Sequence, residues 1–114
     1  MSAVLRLGEQ AADTIRELNH HTRDHDAFAE PAELCWLLAD LSTTAQRLPQ
    51  LLAQLSRWLN QHHTHASFRA DNGDRPGKVV DAAAAALADA ARHAHRVAAD
   101  IDTAHQHTAH LATT

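Results

Sequence analysis

From Pro31 to His63 the chain reads PAELCWLLADLSTTAQRLPQLLAQLSRWLNQHH, and its apolar residues are spaced for a helix. Leu34, Leu38, Leu41, Ala45, Leu48, Leu52, Leu55 and Leu59 follow in alternating steps of four and three. That alternation keeps one face of a helix apolar and is the seam pattern of coiled-coil-like packing. A second row, Leu37, Leu41, Leu48, Leu51, Leu55 and Trp58, lies beside it. Together they make a face wide enough for two neighbouring helices. Pro31 suits a first helical position, where its missing N–H has no partner to lose. Glu33 then sits at the positive end of the helix dipole. Pro49 removes one backbone bond in the middle. Because the apolar row keeps its phase across it, the reading is one helix over 31–63, kinked at Pro49.

A shorter helix is expected over 3–20. Ser2 can cap it, and Val4, Ala11, Ile15 and Leu18 fall at helical spacing with Gly8 completing the row. Residues 21–29 are polar and aperiodic, a connection. Asp71-Asn72-Gly73-Asp74 and Pro76-Gly77 mark a loop over 64–77. A third helix is expected over 78–112, on a seam of Val80, Ala83, Leu87, Ala90, Ala94, Val97, Ile101, Ala104, Thr108 and Leu111. Its small residues permit close approach, leaving space for the Leu and Trp side chains of the second helix. The pairs Arg96/Asp100 and Asp89/His93, each four apart, can brace its outer surface. The expected fold is all-α: an antiparallel three-helix bundle of two long helices, each about 50 Å, and a shorter N-terminal one packed along half of them.

Composition agrees. The 114 residues suit one domain, and Ala and Leu supply most of an apolar content of 45% with only 4% aromatic. Strong helix formers thus outnumber β-branched residues. The formal charge of −4 gives no general attraction to nucleic acid, and Arg16, Arg23, Arg47, Arg57, Arg92 and Arg96 are scattered among acids. No run of about 18 apolar residues is present to span a membrane, and Arg6, Glu9 and Asp13 break any signal-like start. Cys35 has no second cysteine to pair with, which fits a reducing compartment. The expectation is a cytoplasmic chain.

Eleven histidines are the compositional oddity. They cluster at 20–25, 62–65, 93–95 and 105–110, and imidazole is a common transition-metal ligand. His21, His25, His105, His107 and His110 are the metal-ligand candidates, since the hairpin brings the ends of the first and third helices to one end of the molecule. The spacings match no HExxH or paired-Cys motif, and solvated surface histidine is the ordinary alternative. Asp71, Asn72 and Asp74 lack the closing glutamate of a calcium loop. No nucleophile stands with a base and an orienting group. No enzyme activity and no cofactor is expected.

What remains is an excess of apolar helix surface. The short helix can cover only one half of the long pair. At the other half Leu51, Leu55, Trp58 and Leu59, with Val80, Ala84 and Leu87, form the expected interface. The functional expectation is a helical protein–protein interaction module, self-associating as a homodimer or serving as an adaptor or regulatory partner. A histidine-rich metal-binding helical protein is the alternative.

Three segments resemble stretches of small α-helical proteins of actinobacteria: Ile15-Arg16-Glu17-Leu18-Asn19-His20, the run LPQLLAQLSRWL from Leu48 to Leu59, and Asp102-Thr103-Ala104-His105-Gln106. Those proteins have no established activity, so the resemblance implies a helical fold and no mechanism. The Trp-X-Gly turn of secreted WXG-type hairpins is missing, since neither Trp36 nor Trp58 stands before a glycine at that spacing.

Overall fold

The computed structural model describes residues 2–65 and 68–112, so residues 66 and 67 of the expected loop lie outside it. The chain forms three helices, α1 (Ala3–His21), α2 (Pro31–His65) and α3 (Pro76–Thr108), with no strand among the described residues. This is the expected all-α arrangement of one short and two long helices.

Local chemistry sets the ends. The Ser2 hydroxyl accepts the Leu5 N–H at 3.2 Å and starts α1. At its other end the Thr22 hydroxyl and N–H both donate to the Leu18 carbonyl, at 2.6 and 2.9 Å. The second helix runs unbroken from Pro31 to His65 with Pro49 inside it. Its third neighbour begins at Pro76 rather than 78: Pro supplies a ready φ for a first turn, and the Arg75 carbonyl accepts from Lys78 N–H at 3.0 Å. It ends at Thr108 rather than 112. There the Thr108 hydroxyl donates to the His105 carbonyl at 2.9 Å, and the backbone tightens to bonds from His110 to His107 and from Leu111 to Thr108. The turn at 71–74 forms as read. Asn72 Oδ1 accepts the Asp74 N–H at 3.1 Å, and Gly73 takes φ +86°, a conformation that strains any residue with a Cβ.

Helices α2 and α3 pack as an antiparallel hairpin. The Ser56 hydroxyl donates to the Ala84 carbonyl at 3.5 Å. Nearer the tip, a Cβ built on Gly77 would lie 3.3 Å from His63 Nε2, so the missing side chain lets the helices close. These two contacts share a register that places Ser42 near Ala98, Ala45 near Ala94 and Pro49 near Ala91. The buried residues follow it: Ser42, Ala45 and Pro49 on α2, and Val80, Ala84, Ala94 and Ala98 on α3.

Two packing expectations change. First, the buried centre of the seam is built of small side chains, Ser42, Ala45 and Pro49 on α2 and Ala84, Ala94 and Ala98 on α3, with Leu34, Leu38, Leu41, Leu52 and Leu59 of the expected row half-buried beside it. Leu48 and Leu55, expected in the α2 seam, are exposed, as are Val97 and Ala104 of the expected α3 seam. With only two helices in contact, the closest approach goes to the side whose side chains are smallest, and the leucines are left at its edge. No large side chain is fully enclosed among the described residues. Second, α1 lies along neither long helix, and none of its residues is buried. The half-buried Ala27 and Phe28 occupy the corner where it meets α2. Only the last turn of α1 approaches α2, where the half-buried Leu18 lines an open cavity of about 510 Å³ together with Phe28, Trp36 and Leu37.

Candidate interaction surface

Leu48, Leu51, Leu55 and Trp58 recur in steps of three, four and three along α2, so they share one face. Their exposures are 38%, 48%, 43% and 51%, which leaves the row bare along its length. Trp58 is held at its end by two rings. It stacks on His62, with centroids 4.1 Å apart and planes 16° apart, and lies against Phe68 at 6.3 Å. His62 is kept there by contact of its Nδ1 with the Trp58 carbonyl at 3.1 Å.

Phe68 also ties this row to α3. It lines a cavity of about 280 Å³ together with Leu59, Val79, Val80 and Ala83. The Trp58 row and the Val79 edge of α3 are therefore on one side of the hairpin. At the hairpin tip the apolar surface is recessed between Leu59 of α2 and Val79, Val80 and Ala83 of α3. The row from Leu48 to Trp58 borders that recess on α2, and the two together form the groove. Its outer rim is polar: Arg47, Gln50 and Gln54 border Leu51. The only formal charges from residue 41 to residue 63 are Arg47 and Arg57.

The seven expected interface residues divide in two. Leu51, Leu55 and Trp58 are exposed on the groove side. Val80 and Ala84 are buried in the hairpin seam, with Leu59 and Leu87 half-buried beside them, so these four build the groove's base. Leu48, Val79 and Phe68 belong to the surface as well. By spacing Leu48 belongs to both apolar rows, and Phe68 lies in a stretch without periodicity. A further apolar surface is on α1, where Val4, Leu5, Leu7 and Ile15 are 74%, 65%, 61% and 46% exposed.

The overall dimensions carry the same message. The chain exposes 8977 Å², where a compact monomer of its 12.4 kDa mass exposes about 6,100 Å². Its radius of gyration is 18.9 Å against about 13 Å for a compact chain of this length.

The histidine candidates are not brought together. His21 ends α1 beside His20, with ring centroids 5.5 Å apart, and His25 is exposed in the connection. His105 is half-buried on α3, while His107 and His110 are exposed. Among the described residues no three His, Cys, Asp or Glu side chains are grouped to hold a metal ion. Charged side chains pair locally on the surface instead: Arg16 with Asp13 at 3.4 Å, Lys78 with Asp74 at 3.5 Å, and Arg96 with Asp100 at 4.0 Å. Asp89 pairs with Arg92, where the spacing had suggested His93. Such exposed pairs contribute little to stability. No helix among the described residues is long and apolar enough to cross a membrane. Compared with protein families, curated proteins and solved structures, the chain finds no match in any of the three.

Proposed function

We propose that this chain is a non-catalytic helical interaction module, one that self-associates through the groove beside Trp58. The reading places it in the cytoplasm, where the lone Cys35, with no second cysteine in the sequence, would stay reduced. The observation that carries it is the row Leu48, Leu51, Leu55 and Trp58, exposed in register beside Val79. A contiguous apolar patch of several hundred Å² on a water-exposed helix marks an interface. Rigid aromatic anchors such as Trp58 are typical centres of protein interfaces, and its contacts with the His62 and Phe68 rings hold it in one position in the free chain. An Arg- and Gln-lined rim around an apolar centre is the usual anatomy of such a surface.

The test is a double substitution, Leu51→Glu with Trp58→Glu, followed by light scattering and circular dichroism. Neither side chain supports the hairpin seam, so helicity should stay as it was while the protein shifts from dimer to monomer. Unchanged association in the variant, or an unmodified protein that stays monomeric at high micromolar concentration, contradicts self-association through this face.

A further inference from the structure

We propose that the groove is filled by α1 of a second copy of the chain, each copy giving its N-terminal helix to the other. The proposal rests on self-association through the Trp58 face and names the segment that covers it.

With the compact corner at Ala27 and Phe28 kept, a molecule's own α1 does not reach this face. At 1.5 Å per residue, Leu48 lies about 26 Å and Trp58 about 40 Å from the start of α2. The 19 residues of α1 span about 28 Å and are tied by residues 22–30 to that same start. Folded back along its own hairpin, α1 would end level with about residue 50. Leu55, Trp58, Phe68 and Val79 would remain bare.

A second copy supplies what fits. Val4, Leu7, Ala11, Ile15 and Leu18 form one apolar row about 21 Å long on α1, stepped like the row from Leu48 to Trp58. That helix has no buried residue of its own. A two-fold axis across the hairpin sets the start of one α2 beside the end of the other, so both exchanges form at once. The area suffices. Each chain exceeds a compact monomer by roughly 2,800 Å², well above the roughly 800 Å² that each partner buries in a stable interface. Each end then becomes a three-helix bundle completed in trans.

Complementation tests it on the full chain. The arm variant carries Leu7→Glu with Ile15→Glu; the groove variant carries Leu51→Glu with Trp58→Glu. Each alone should dimerise at least about 100-fold more weakly than the unmodified chain, with hairpin helicity kept. Mixed, they should form a heterodimer, because the intact arm of one meets the intact groove of the other. An arm variant that dimerises normally overturns the exchange while leaving self-association through the groove in place. Two weak variants that do not complement also overturn it. A monomeric unmodified chain overturns both readings.

Discussion

Ala45→Leu reads the closeness of the hairpin seam through the sign of its effect. Ala45 is 4% exposed and lies near Ala94, itself 7% exposed. The substitution adds three carbons. If the seam had room for them, their burial would add about 2 kcal/mol of stability at roughly 0.8 kcal/mol per carbon. If small side chains set the helix separation, the same atoms must push the backbones apart, and overpacking typically costs about 1–3 kcal/mol. The packing of Ser42, Ala45 and Pro49 against alanines decides for the second. The expected result is a loss of about 2 kcal/mol, or a fall near 10 °C in Tm. Ala85→Leu is the control, because Ala85 is exposed on α3 and Leu is almost as good a helix former as Ala. Urea or thermal unfolding followed by circular dichroism measures both, at one protein concentration, since association shifts apparent stability. A stabilised Ala45→Leu protein, or equal effects at 45 and 85, would refute a small-residue seam.

Three other outcomes follow from local structure. Pro49→Ala should raise stability by about 1 kcal/mol: removing a helix-interior proline is worth about 3 kcal/mol, and two buried ring carbons lost from the seam cost about 1.6 kcal/mol. An unfolded Pro49→Ala chain in chemical denaturation would contradict this. Gly73→Ala should lower stability by about 1 kcal/mol, purely through its φ of +86°, because nothing lies within 4 Å of the added Cβ. Protein purified without a metal column and dialysed against chelator should keep its helicity and Tm. A large drop on chelation would mean that the histidines hold a folding metal.

The helices were legible because leucine spacing is a long signal. Eight positions from Leu34 to Leu59 hold one phase, and α2 runs through Pro49 as that phase required. Short polar signals were equally readable where the interaction is local, as with the Ser2 cap and the Asn72-Gly73 turn. What periodicity could not decide is which of two adjacent apolar rows packs. Leu48 and Leu55 belong to both rows, and the choice fell to Ser42, Ala45 and Pro49, whose smallness matters only once a partner helix is present. The stance of α1 was hidden for a similar reason. It depends on Phe28 filling a corner, a contact between a connection and two helix ends that no spacing encodes. Helix lengths predicted one covered and one bare half of the hairpin, but α1 covers neither. Leu51 and Trp58 are exposed because no third helix lies on α2, and Phe68 and Val79 come beside them only through the geometry of the turn. The histidine clusters were the weakest sign, because sequence proximity does not aim side chains at one point.

The most direct test of the Trp58 face follows its fluorescence and the molecular mass together across a dilution series. Trp36→Phe leaves Trp58 as the single tryptophan of the chain. Trp58 is 51% exposed in the single chain, so covering it by a partner should shift its emission to the blue. The prediction is that this shift appears with rising concentration in step with a mass climbing from 12.4 kDa toward twice that value. Emission that stays constant while the mass doubles, or a mass that never rises, would contradict the assignment of this face as the interaction surface.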